Sequence, residues 1–298
     1  MDFFSLSGKC IERRLFMRKV IFKLSREFFP QSKDRYPLLY FEHGRIEVDD
    51  SSVKWVGANR DIYAIPVATI STILLGPGTT VTHEAVKAIS SSNTTICWVG
   101  DDSLRFYASG LTPTADTRNL LRQVKCAADP ENRLTVAKRL FSKRFENESL
   151  EGKSLQTLMG MEGVRVRALY AQKAAAYGVS WTGRRYIPGK MEASDKVNRY
   201  LTHANSLLYA VITSSVIAHG YDPRIGFIHS GSPLPFVYDL SDLYKETLTI
   251  DSAFSLANKE EKVTNARFVE EFTQRAVNFD LLSKLSQDQE AIFKDLGC

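Results

Sequence analysis

Between Pro37 and Ser109 apolar positions come in short runs, and turn-forming residues break them. "PLLYFEH", "RIEVDD", "SVKWVG" and "DIYAIPV" are β-rich segments divided by "HG", "DDSS" and "GANR". "TISTILL" stops at "GPG", "HEAVKAISSS" has helical spacing, and "TTICWVG" and "LRFYASG" return to strand. The pattern predicts a β-rich domain over residues 29–110 with one inserted helix. A linker of small polar residues and a proline follows at 111–117, within "SGLTPTADT".

Beyond the linker the apolar period changes to three-and-four, and residues 118–298 read as a helical domain. "DTRNLLRQVKCAAD", led by an Asp as cap, and "PENRLTVAKRLFSKRFE" predict the first two helices. "MEGVRVRALYAQKAAAYG" predicts a third, with Glu162 in its first turn and Gly178 at its end. "KVNRYLTHANSLLYAVITSSVIAHG" is apolar on most faces, so it is expected to be the core helix, closing at Gly220. The expected fold class is α+β, a β-rich N-terminal domain followed by an α-helical, catalytic C-terminal domain.

Charge adds a direction. The net charge of +5 comes from residues 1–35, which hold nine Lys/Arg against four Asp/Glu; 1–28 read as a basic N-terminal extension. The remainder is neutral but uneven. Arg118 to Arg185 carries fourteen basic and six acidic residues, whereas Asp239 to Cys298 carries seven basic and twelve acidic. A local basic field suits a polyanion ligand, although solvated helix faces would read the same way. No apolar run reaches the roughly 18 residues of a membrane span, and the N-terminus lacks a signal peptide's apolar core. Four scattered cysteines without a CxxC pair suggest neither a zinc knuckle nor a disulfide framework. The expected location is the cytoplasm, with no membrane partner.

Candidate chemistry concentrates in "GFIHSGSPLPFVYDLSDLYK", Gly226 to Lys245. Apolar sequence leads to His229, and Phe236-Val237-Tyr238 delivers Asp239 and Asp242. Each acid has an ordinary structural reading. Glu162 can complement a helix N-terminus or pair with Arg165. His229 can be a satisfied core histidine, and "DLSD" can cap a helix. Together, one Glu, one His and one or two Asp suit Mg²⁺ or Mn²⁺ better than Zn²⁺. Arg184, Arg185, Tyr186, Lys245, Arg105 and Lys87 supply forks, point charges and an aromatic ring suited to DNA phosphates and bases. Hard-metal ligands beside a phosphate-binding rim point to a nucleic-acid phosphodiester enzyme.

"LLGPGTTVTHEAV", "WVGDDSLRFYASG", "GMEGVRVRALYA", "GVSWTGRRYIPG" and "IGFIHSGSPLPFVYDLSDLYK" resemble, in that order, the CRISPR-associated integrases of the adaptation module, the Cas1 family, in its type I-E branch. The resemblance spans residues 29–251. It implies a homodimer, two such dimers bridged by a small ferredoxin-like partner of the Cas2 family, and metal-dependent insertion of short DNA duplexes into the CRISPR array. It implies Glu162, His229 and Asp242 as catalytic metal ligands, with Asp239, Lys245 and Tyr238 in support and Arg105 and Tyr186 near the DNA. Where relatives place a tyrosine that stacks on the end of the duplex, this chain has His43. Basic positions after "GPGT" and "GFIHSG" are Thr80 and Ser232 here. Two rival functions stay open: a nuclease of branched DNA without integration, and a non-catalytic DNA-binding subunit.

Overall fold

A computed structural model of the chain describes residues 30–50, 52–100, 106–110, 116–145, 148–185, 195–258 and 263–296. The N-terminal strands form two four-stranded sheets. In the first, β1 (Tyr36–Phe41), β5 (Ile70–Leu75) and β7 (Thr95–Val99) run parallel, and β8 (Phe106–Ser109) pairs antiparallel at the edge. The second has the order β4 (Ile62–Ala64), β3 (Ser52–Gly57), β2 (Gly44–Asp49), β6 (Thr80–Val81). The inserted helix, α1 (His83–Ser91), is capped by Thr82, whose hydroxyl accepts the Ala85 N–H.

All six residues of β5 are buried, the polar Ser71 and Thr72 among them, as in a strand covered on both faces. Ile73 and Leu75 belong to one core with Ile46, Ala85 and Ile89. Leu74 belongs to another, with Leu207 and Val211 of the helical region. Leu38, Cys97 and Val99 join that second core, so helices cover the far face of the first sheet. The 29–110 segment therefore shares a core with the helical region. Ser214 reinforces the junction, its Oγ donating to the Ser71 carbonyl at 2.8 Å.

The helices are α2 (Arg118–Ala128), α3 (Pro130–Arg144), α4 (Leu155–Tyr177), α5 (Lys196–Ala218), α6 (Pro235–Ser241), α7 (Asp251–Ala257), α8 (Asn265–Asn278) and α9 (Leu281–Phe293). Two expectations need correction. The N-cap of α2 is Thr117, without a side-chain cap bond; Asp116 lies one residue outside and accepts the Arg118 N–H at 2.9 Å. Helix α4 begins at Leu155 behind Ser154, whose Oγ accepts the Thr157 N–H at 3.2 Å, so Glu162 sits two turns inside it. Gly160 and Gly163 are both ordinary positions inside the helix.

Helix α5 is long and apolar enough, by length and composition, to cross a membrane, but 78% of its most apolar window is buried inside the protein, as in a core helix. It carries the helical region: α6, α7 and the first sheet all pack on it. Cys97 is a buried free thiol.

Candidate active site

The loop from Gly226 to Leu234 folds back on α6, and the approach is close. A Cβ at Gly226 would lie 2.7 Å from Pro235 Cβ and 2.9 Å from the His229 carbonyl oxygen, so only glycine fits there. This fold-back aims three backbone N–H groups at one carboxylate. Asp239, fully buried on α6, accepts Phe227 N–H at 2.6 Å and Ile228 N–H at 3.2 Å on Oδ2. Its Oδ1 accepts His229 N–H at 2.9 Å and the imidazole Nδ1 at 2.8 Å. An ionised carboxylate only accepts, so Nδ1 donates, and in the neutral imidazole Nε2 then carries the lone pair. That is the arrangement that orients a metal-binding histidine. Asp239 is therefore neither a helix cap nor a ligand candidate; its acceptor capacity is used on the loop.

His229 Nε2 faces Asp242, 3.9 Å from Oδ2. Asp242 is the C-cap of α6, where the sequence suggests an N-terminal cap. Lys245 Nζ donates to its Oδ1 at 2.6 Å, and Arg144 Nη1 lies 3.6 Å from Oδ2. Burial alone would raise the Asp242 pKa, but Lys245 and Arg144 outweigh it and hold the group below the usual carboxylate range. Lys245 behaves reciprocally. Its own burial opposes the charge, yet Asp242 keeps the ammonium above its ordinary pKa, and it also sits over the Tyr209 ring at 5.5 Å. Lys245 opens a six-residue π-helical turn (Lys245–Ile250) directly behind Asp242; such wide turns are frequent at functional sites.

Glu162 faces the same cluster from α4, but its partner is not Arg165, which pairs with Glu148 at 3.7 Å. Glu162 is ion-paired with Arg144, the last residue of α3. Arg144 is the residue that local sequence reading misses, because "KRLFSKRFE" looks like a solvated basic face. A signal was present: Ala137, Leu140 and Phe141 are buried, and position 144 continues their stripe at i+7. Asp288 of α9 steadies both flanks, accepting Tyr244 Oη at 2.5 Å and Lys143 Nζ at 2.6 Å.

Two hollows meet at Lys245. One, of about 560 Å³, is lined by Arg144, Glu162, Arg165, Asp242 and Lys245. The other, of about 770 Å³, is lined by Tyr209, His229, Tyr238, Arg184, Tyr107 and Lys245. The remaining expected residues fare differently. Arg184 is held by its neighbours, donating to Asn198 Oδ1 at 2.8 Å and Thr202 Oγ1 at 2.9 Å, which pins its loop to α5. Arg185 is exposed, as is Lys87 on α1, which lines neither hollow. His43 is exposed in the turn between β1 and β2 at φ 55°, a left-handed conformation. Arg105 and Tyr186 lie outside the described residues. Tyr238 packs edge-on against His229, ring centroids 6.0 Å apart.

The donor set fits a hard divalent cation: an imidazole nitrogen freed by its carboxylate partner, and two carboxylates. Among the described residues no three such groups close to ligand distance as they stand; the Arg144 guanidinium pairs with Glu162 and lies 3.6 Å from Asp242.

A model of the family "CRISPR associated protein Cas1" matches residues 38–150 and 143–287. The chain is 53% identical over 281 residues to the CRISPR-associated endonuclease Cas1 2 of Chlorobaculum tepidum, covering 94% of this chain and 95% of that one. It is 40% identical over 227 residues to the CRISPR-associated endonuclease Cas1 of Escherichia coli K12, covering 76% and 74%. Its fold matches the crystal structure of a TtCas1–DNA complex with a TM-score of 0.77 at 37% identity, over 87% of this chain and 92% of that one. The chain belongs to the Cas1 family of CRISPR-associated proteins.

Proposed function

We propose that this protein is a metal-dependent DNA integrase and endonuclease of CRISPR adaptation. It inserts short duplexes into the CRISPR array by transesterification and hydrolyses branched DNA at the same site. The observation that carries this reading is the Asp239–His229 lock, which turns Nε2 toward Asp242, on a hollow that Glu162 also lines. His229, Asp242 and Glu162 would hold Mg²⁺ or Mn²⁺. Bound there, the ion supplies Lewis-acid polarisation of the phosphoryl oxygens and positions the attacking oxygen.

The chain's own groups do the rest. Lys245, charged and shared by both hollows, offers a point cation to the phosphate undergoing exchange. The 3′-oxygen of the incoming duplex bonds to phosphorus, and the bond from phosphorus to the 3′-oxygen at the repeat boundary breaks. One hydroxyl proton leaves and one is returned, so no net proton or cofactor is consumed. Arg165, exposed and lining the hollow, is placed to hold the backbone, and Arg185 is exposed on the loop that carries Arg184. The working assembly in this reading is two homodimers of this chain bridged by a Cas2-type dimer.

The test combines the purified chain, its Cas2-type partner, a short duplex with 3′-hydroxyl ends, a supercoiled array plasmid and Mn²⁺. Joined product is expected. Cleavage without joining would leave only the nuclease, and no turnover under any divalent ion would leave only a DNA-binding subunit.

DNA affinity should fall steeply with salt through counterion release. Arg165→Ala is expected to weaken binding alike across sequences and to reduce the salt slope by about 1. A flat salt dependence measured by fluorescence anisotropy would remove the electrostatic part of the reading. At His43, stacking on a duplex end predicts that His43→Tyr keeps or tightens binding, within the roughly 1–3 kcal/mol of a base–aromatic stack. His43→Ala should broaden the range of duplex lengths that are joined. Identical length preference in both variants would place the end of the duplex elsewhere.

A further inference from the structure

Arg144 gives the two proposed ligand acids a cation of their own. Its side chain is only 11% exposed, Nη2 pairs with Glu162, and Nη1 makes no hydrogen bond while lying 3.6 Å from Asp242 Oδ2. The guanidinium thus spans both carboxylates that the proposed function assigns to the ion. It borders the same hollow of about 560 Å³ as those acids and Lys245, so it can turn toward a ligand without leaving the site.

Formal charge shows what such a cluster favours. Of the charged groups at the site that are not exposed, Glu162, Asp239 and Asp242 contribute three negative charges and Arg144 and Lys245 two positive, with His229 neutral as a metal ligand must be; Lys143, Arg165 and Glu246 on the same hollow are exposed to solvent. The sum is −1. A divalent cation alone takes it to +1 and a phosphodiester alone to −2, whereas both together bring it to zero. Net charge in a buried site is costly, so the state holding both ligands is favoured over either half-filled one. Arg144 is suited to the exchange, because its planar fork fits phosphate as well as it fits carboxylate.

We propose that Arg144 is an exchangeable counter-cation that couples metal binding to DNA binding. Without DNA it holds Glu162 and Asp242 together. With DNA its fork passes to a backbone phosphate and leaves the two carboxylates to the ion. This rests on the metal site of the proposed function. The consequence is that the reactive ion is assembled chiefly on protein that already holds DNA, which limits idle chemistry.

The experiment titrates Mn²⁺ into the full chain, following free Mn²⁺ by electron paramagnetic resonance, with and without a short duplex carrying 3′-dideoxy ends. In the unsubstituted protein the duplex is expected to tighten Mn²⁺ binding by roughly 5- to 150-fold, the usual span of coupling between two sites. The same factor must appear in DNA affinity measured with and without Mn²⁺, because coupling is reciprocal. Arg144→Gln is expected to bind Mn²⁺ at least about fivefold more tightly without DNA, with the effect of the duplex shrinking to within about twofold. If thermal melting shows that Arg144→Gln does not hold its fold, Arg144→Met is measured in its place with the same outcomes, since its apolar chain can lie against Phe141. Unaltered Mn²⁺ affinity together with undiminished coupling in the variant would overturn the role of Arg144. No Mn²⁺ binding in the unsubstituted protein, even with DNA, would overturn the metal reading itself.

Discussion

Glu162→Gln and His229→Ala are expected to lower the joining rate by roughly a hundred- to ten-thousandfold while leaving the fold and metal-free DNA binding in place. The magnitude comes from the part assigned to these residues. A Lewis acid at the phosphoryl group contributes several kcal/mol to transition-state stabilisation, and each decade in rate corresponds to about 1.4 kcal/mol. The fold should survive because neither side chain is central to packing: Glu162 is 17% exposed and His229 34% exposed, both facing hollows. A glutamine keeps an acceptor for Arg144. An alanine at 229 leaves Asp239 its three backbone donors. Without metal, DNA affinity in Glu162→Gln should hold or rise, since a carboxylate that repels phosphate is gone and Arg144 is held less tightly. Joining rate is to be measured with Mn²⁺ present, DNA affinity without it, and melting temperature alongside. Full activity in Glu162→Gln would sink its assignment as a ligand. Activity and fold lost together would return these residues to plain structural roles.

The readable and unreadable parts of this site differ in range. Most strands were legible because they are short β-rich runs closed by a turn, whereas the two-residue β6 is too short to leave such a run, and the burial of β5 on both faces is hidden by Ser71 and Thr72. Its parallel pairing with β1 and β7 was not legible, since those partners lie far apart in sequence. His229, Asp239 and Asp242 could be nominated together because one loop and one short helix carry them. Which acid faces inward could not be read, as residues three apart on a helix share a side; the fold-back at Gly226 decides it. The partner of Glu162 escapes a local reading for the same reason. Arg165 is its neighbour along the helix, whereas Arg144 reaches it from another helix, and only the buried stripe at Ala137, Leu140 and Phe141 hints at this. Arg184 reads as a phosphate contact, yet Asn198 and Thr202 lie where α5 passes the loop and take up its fork.

At Asp239 the balance between chemistry and folding reverses. Asp239→Asn is expected to destabilise the protein by about 3–5 kcal/mol, from buried donors left unmatched at roughly 1–3 kcal/mol each. The carboxylate accepts four hydrogen bonds between 2.6 and 3.2 Å with no exposure to water. An asparagine amide can accept on one atom only and must turn its NH₂ toward donors on the other. If the NH₂ meets Phe227 and Ile228, two backbone N–H groups are stranded. If it meets His229, Nδ1 is forced to accept, the proton moves to Nε2, and the lone pair turned toward Asp242 is lost. Outer partners of metal-binding histidines typically contribute about 10- to 100-fold to activity or affinity, so the joining rate should fall by that much in addition. At roughly 2–4 °C per kcal/mol for a protein of this size, melting should drop by about 6–20 °C, a shift absent from Glu162→Gln. Nitrogen-15 NMR of the imidazole distinguishes the two orientations, since each tautomer has its own pair of nitrogen shifts. A variant that melts like the unsubstituted protein and keeps its proton on Nδ1 would mean that Asp239 neither holds the loop nor sets the histidine, and the geometric case for a metal-facing Nε2 would go with it.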